Sequence, residues 1–153
     1  LGLAPTQFFW FFAINVSGIM AGAWLSGRLA GRVPWRRQIR WGFVVMSVVS
    51  VLNVVLNLVF EPNAWWSMWP IGLYALGWSL MTPVVTLLVL DQVPERRGMA
   101  SSVHSSISSA ANALVAGALT PLVMNSPRDL ALAALVLMAA GLVSWTWVKR
   151  QVT

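Results

Sequence analysis

The chain has 153 residues, near the length of a single domain, yet 58% of them are apolar and 9% charged, against about 45–50% and about 25% in soluble domains. Ten basic and four acidic side chains cannot cover a water-soluble surface of that size. A soluble enzyme is therefore excluded, and so is intrinsic disorder, which requires low hydrophobicity and high charge. The net charge of +6 does not indicate a nucleic-acid partner, because Lys and Arg fall in short gaps between long apolar runs instead of forming one wet basic face. The absence of cysteine removes disulfides and thiol chemistry.

A bilayer core about 30 Å thick takes roughly 20 apolar helical residues to cross. Five stretches meet that length, at about 8–27, 41–60, 67–90, 99–124 and 130–148, and predict an all-α integral membrane protein with five transmembrane helices in one membrane domain. The first span is free of charge. It carries Asn15 at mid-depth and Gly18-x-x-x-Gly22, a spacing that permits close backbone contact. The second carries Asn53 and Asn57, four apart, which are expected to bond another helix.

The third span contains Pro70 and Pro83. Proline is tolerated in a membrane bundle because neighbouring groups satisfy the freed carbonyl, so Pro83 reads as a kink in one helix. Tyr74, Trp78 and Met81 form an aromatic and soft face there. They either fill space between helices or line a cavity suited to lipophilic cations through cation–π attraction.

The fourth span is the most polar, with six serines before Ala110. Ser101, Ser105, Ser108 and Asn112 share one face by their spacing of four, three and four. That stripe should face protein or a wet cavity, either as helix–helix hydrogen bonds or as a substrate pathway. His104, at its edge, is a hydrogen-bonded packing partner or a proton sensor. Ala113-x-x-x-Gly117 repeats the small-residue spacing. The fifth span is rich in Ala and Leu.

The gaps set the expected orientation. Arg28, Arg32, Arg36, Arg37 and Arg40 occupy the first, Arg96 and Arg97 the third, and Lys149 and Arg150 follow the last span, so alternate gaps hold nine of the ten basic residues. Basic residues are retained on the cytoplasmic side, which places the N-terminus outside, the C-terminus inside, and Arg36 and Arg96 on the same face. Eight of the ten tryptophans lie within about a turn of a span end, at headgroup level. Leu1–Gln7 read as an external loop, and a start at Leu1 suggests a piece of something longer.

Catalysis has no candidate residues. One histidine, no cysteine and no acid inside any span leave neither a nucleophile with its base nor a metal cluster. Asp91 and Glu95 are separated by Pro94 and adjoined by Arg96 and Arg97, which reads as a neutralised turn.

Two loops carry a resemblance. Gly27, Leu29, Ala30, Arg32 and Arg36 fall in register with the G-x-L-a-D-r-x-G-r-r signature of the major facilitator superfamily, with Gly31, Pro34 and Trp35 departing from it. The string Asp91-Gln92-Val93-Pro94-Glu95-Arg96-Arg97-Gly98-Met99-Ala100-Ser101-Ser102 resembles the D-x-x-P-x-x-R-G-x-A-S-S junction of Bcr/CflA-type multidrug efflux carriers within that superfamily. In it Pro94 would end a helix, Gly98 allow close approach, and Ser101 or Ser102 cap the next helix.

The resemblance implies a partial C-terminal half, helices eight to twelve of a twelve-helix carrier, in a bacterial inner membrane with a periplasmic N-terminus and a cytoplasmic C-terminus. It implies export of lipophilic drugs or small molecules by proton antiport, with two halves rocking around a mid-membrane site. No cofactor or metal is implied, the proton gradient being the energy source; the partners are membrane lipids, a small-molecule substrate and an N-terminal half that holds the proton-carrying acid. Cavity candidates are Asn15, Tyr74, Trp78, Met81, Ser105, Ser108 and Asn112. The loop and gating set is Gly27, Arg28, Arg32, Arg36, Asp91, Arg97 and Gly98, with Asp91 expected to pair with Arg28 or Arg32; Gly18, Gly22 and Gly117 are packing positions. A superfamily carrier of sugars or amino acids, and a non-transporting membrane scaffold, are the alternatives.

Overall fold

A computed structural model describes residues 5–59, 64–123 and 126–151. The described residues contain helices and no strand: α1 (Pro5–Leu29), α2 (Trp35–Val59), α3 (Ala64–Asp91), a 3-10 turn (Pro94–Arg96), α4 (Arg97–Leu114), a π-helical turn (Val115–Leu119), α5 (Thr120–Val123) and α6 (Pro127–Gln151). Five segments are long and apolar enough to cross a membrane, the fourth running from Pro94 through Val123. The chain is a multi-pass, all-helical membrane protein.

Proline leaves α3 unbroken and widens one turn after α4. Pro70 and Pro83 both lie inside an unbroken α3, and Thr82 Oγ1 donates to the Trp78 carbonyl at 2.7 Å beside the second of them. Pro121 lacks the N–H that would bond Gly117, and its ring crowds that carbonyl. The preceding turn widens accordingly: the Thr120 N–H bonds the Val115 carbonyl five residues back, and so does Thr120 Oγ1 at 2.9 Å.

Helix bounds differ from the apolar runs at three places. Pro5–Gln7, expected as loop, begin α1, while residues 1–4 lie outside the described set. Trp35–Arg40, expected as loop, form the first turns of α2 after Pro34, whose carbonyl accepts from the Arg37 and Gln38 N–H groups at 2.9 and 3.2 Å. α6 likewise continues past Val148. Basic side chains at a span end reach toward water while their backbone stays helical, so an apolar run underestimates the helix.

α3 is the hub. α1 and α2 pack along it, α4 packs against its end, and α6 packs on α2. A Cβ on Gly18 would collide with the Gly72 carbonyl, and one on Gly22 with Ser79 Oγ and the Leu76 carbonyl. On the other side of α3, a Cβ on Gly42 would stand 2.9 Å from the Gly77 carbonyl, and one on Gly77 2.9 Å from Met46 Cγ. Gly117 and Gly98 differ: no atom lies within 4 Å of a Cβ built on either. Among the described residues no neighbouring helix meets the π-turn at Gly117, so the packing role expected of it is not formed there, and Gly98 makes no close approach.

Polar bonds pin the same helices. Ser79 Oγ donates to the Ile19 carbonyl at 3.0 Å, joining α3 to α1. Gln38, only 2% exposed, donates through Nε2 to Ser26 Oγ at 2.7 Å and to the Leu80 carbonyl at 3.1 Å, joining α2 to both. At the opposite end, Arg128 Nε donates to the Asn57 carbonyl at 3.1 Å, tying α6 to α2. Asn57 Nδ2 bonds Asn53 within α2; among the described residues the amide pair makes no side-chain bond to another helix, where one was expected, because a partner one turn back on the same helix lies within reach.

Gly22→Leu is expected to lower stability by about 1–3 kcal/mol through overpacking. Gly98→Ala, in open space, should stay within about 0.5 kcal/mol of the parent. Thermal unfolding of the detergent-solubilised protein measures both.

Candidate functional site

α4 is the one long helix with no buried residue. At 100° per residue, Ser101, Ser102, Ser105, Ser106, Ser108, Ser109 and Asn112 spread over one broad side, with Met99, Val103, Ile107 and Leu114 opposite. Only Ala100 and His104 on α4 are half-buried. They and the apolar side border a groove of about 500 Å³ against the end of α3, where Val89, Gln92 and Val93 form the other wall. His104 therefore belongs to the α3–α4 contact.

The hydroxyl side is left uncovered. Among the described residues Ser105, Ser108 and Asn112 are exposed and donate to no other helix; the one hydroxyl bond in α4 runs from Ser102 Oγ to the Gly98 carbonyl at 3.1 Å. Of the two readings of the stripe, helix–helix hydrogen bonding is not realised among the described residues. The expected serine cap is also absent. α4 begins after Arg96 with no side-chain cap, because the 3-10 turn at Pro94 starts the helix early and leaves Ser101 and Ser102 inside it.

The aromatic face expected on α3 divides. Tyr74 and Met81 are half-buried against the core formed by Ile39, Phe43, Met46 and Met138, so they fill space beside α2. Trp78 is 48% exposed. By helical spacing it shares a face with Val85 and Val89, which line the groove against α2 and α6, Val89 also bordering the groove against α4. Trp78 is thus the exposed member of the aromatic face, while Tyr74 and Met81 are corrected to packing positions. Asn15 is half-buried on α1; α1 and α4 each pack on α3 and make no comparable contact with one another, so Asn15 is not brought to the serine face.

The gating set gathers at the other feature of the bundle, its arginine-rich end. Trp35, Arg36, Gln92 and Val148 line one groove, which shows that the start of α2 and the ends of α3 and α6 meet there. Gly31 turns the chain between α1 and α2 with φ +75°, a left-handed conformation that glycine adopts without a Cβ clash. Gly27 lies in the last turns of α1 in open space, and Arg32 is exposed. The Arg28 guanidinium sits 4.2 Å from the Trp24 ring centroid, and that of Arg36 5.0 Å from Trp35. Asp91 pairs with Arg97 at 2.9 Å. The expected latch to Arg28 or Arg32 is corrected for this conformation: the turn at Pro94 brings Arg97 back to the carboxylate six residues earlier, and Arg28 is engaged by Trp24.

A family model described as Major Facilitator Superfamily matches residues 1–116. The chain belongs to the major facilitator superfamily. No curated protein matched it, and no solved structure did. Membership makes the five helices part of a secondary transporter, and the superfamily match spans α1, α2, α3 and all of α4, the elements that hold Trp78 and the serine side.

Sequence reasoning missed Gln38, which stands among arginines and reads as another solvated residue. It also missed Gly42, Gly72 and Gly77. The small residues of α3 (Gly72, Ala75, Gly77, Ser79) were visible, but they lie on two sides of one helix and form no single small-residue stripe.

Both partners of the Asp91–Arg97 pair are more than half exposed. Asp91→Asn is therefore expected to cost less than about 1 kcal/mol, as read by thermal unfolding in detergent.

Proposed function

We propose that the chain works as part of a proton-coupled exporter of lipophilic, preferably cationic, small molecules, with α4 as one wall of the substrate pathway. The observation that carries this reading is the uncovered hydroxyl and amide side of α4; Trp78, on α3, is half-exposed. Hydroxyls facing hydrocarbon are unfavourable, so a wet cavity between this wall and an opposing half is the environment that satisfies them. Trp78 adds a ring face for stacking and cation–π attraction. The resemblance of Asp91–Ser102 to the junction of Bcr/CflA-type drug carriers supports the same substrate class. Alternating access then exposes the wall to each side of the membrane in turn, and the proton-carrying acid lies in the opposing half.

The second reading, a superfamily carrier of sugars or other polar metabolites, is favoured by the serines, which offer hydrogen bonds that polar cargo could use. Trp78 separates the two. In cells expressing the full-length gene, Trp78→Ala is expected to slow efflux of a lipophilic cationic dye roughly tenfold, the equivalent of about 1.4 kcal/mol, and a protonophore to abolish the difference from vector. Unchanged dye efflux in Trp78→Ala, with inhibition by a sugar or amino acid, would support the second reading.

A further inference from the structure

The arginine-rich end of α2 and α6 carries two grooves that no part of the transport reading uses. They measure about 530 and 550 Å³, and Arg36, Phe43 and Trp145 line both. Trp145 is the partition between them: its ring stacks on Phe43 with centroids 6.5 Å apart and meets Trp35 edge-on at 6.3 Å. One groove runs between α2 and α6 along Val44, Val48 and Leu142, with Arg40 on its wall. The other runs between α2, α3 and α6 along Met81, Leu88 and Val148. Among the described residues no carboxylate lines either groove, and Asp91, at the same end of the bundle, is paired with Arg97.

The surroundings identify the occupant. Val44, Val48, Val51 and Val55 present an exposed apolar face on α2 beside the first groove, in contrast to the serine side of α4; such a face on a membrane-spanning helix is covered by lipid. Charge complementarity then selects the headgroup, since two guanidiniums with no carboxylate among the lining residues favour a phosphodiester anion. From Arg36 to Val48 the helix rises roughly 18 Å, a little over half of the ~30 Å apolar core, which is the depth an acyl chain reaches below its headgroup. We propose that the paired groove is a binding site for a diacyl anionic phospholipid, with its phosphate held by Arg36 and Arg40 and one acyl chain on each side of Trp145. Seated there, the lipid bridges α2, α3 and α6. This site does not depend on what the carrier exports.

The test uses tryptophan quenching of the detergent-solubilised protein by dibrominated phosphatidylglycerol and, in parallel, dibrominated phosphatidylcholine. The anionic lipid is expected to bind roughly tenfold more tightly. Arg36→Gln with Arg40→Gln should remove that preference, while Arg28→Gln with Arg32→Gln, the same charge loss at the same end away from the grooves, should keep it. Trp145→Phe should reduce the quenched fraction, which a diffuse surface attraction would not do. All four arginines are exposed, so none of these variants removes a core contact. Equal binding of the two lipids, equal loss in both arginine pairs, or displacement of the brominated lipid by millimolar inorganic phosphate would overturn the proposal; the last result would mark a simple anion site.

Discussion

Helices in lipid gain nothing from hydrophobic attraction to one another, since acyl chains are as apolar as leucine. What holds them is close backbone approach and the bonds that approach makes possible. In this chain the constraint falls on α3, which is bare at Gly72 where α1 crosses and at Gly77 where α2 crosses. Only because those faces lack side chains can Ser79 reach the Ile19 carbonyl and Gln38 reach both Ser26 and the Leu80 carbonyl. A buried amide left without those partners would be costly in a low-dielectric interior, so the glycine contacts and the polar bonds depend on each other.

That arrangement decides what remains available for function. With α1 and α2 occupying two sides of α3, α4 meets it only near their common turn, through Ala100 and His104. The rest of α4 stands away from the bundle with its hydroxyls uncovered, while the outer side of α2 presents valines. The chain therefore has two unlike exposed faces, one suited to a wet cavity and one to lipid. A secondary transporter needs both, and the superfamily to which the chain belongs supplies the functional context. The π-turn before Pro121 adds an interruption on the α4 side only.

The five helices were legible in the sequence because span length and hydropathy are set by the bilayer and not by tertiary detail. The apolar run on both sides of Pro83 implies one continuous helix, and α3 is continuous. What escaped was whatever depends on which neighbour a residue meets. Tyr74, Trp78 and Met81 are too close in helical angle for spacing alone to tell that two pack on α2 and one does not. Asp91 could reach several arginines by topology, and the geometry of the Pro94 turn chose the local one. Gly18 and Gly117 sit in the same kind of motif, yet among the described residues only the first has a helix against it. The grooves beside Trp145 had no signature at all, since they arise from the meeting of three separate helices.

The central claim, that the uncovered side of α4 faces water while the outer side of α2 faces lipid, is open to one direct measurement. The chain contains no cysteine, so once any cysteine elsewhere in the full-length protein is replaced by serine, each introduced thiol is the only one present. Single cysteines at Ser105, Ser108, Asn112, Val103, Ile107, Val44 and Val48, placed in the full-length protein in membranes, can be exposed to a water-soluble, membrane-impermeant thiol reagent. Rapid modification at Ser105, Ser108 and Asn112, with little at Val103, Ile107, Val44 and Val48, is the expected pattern. Modification at Val48 as fast as at Ser108, or three unreactive positions on the serine side, would contradict it.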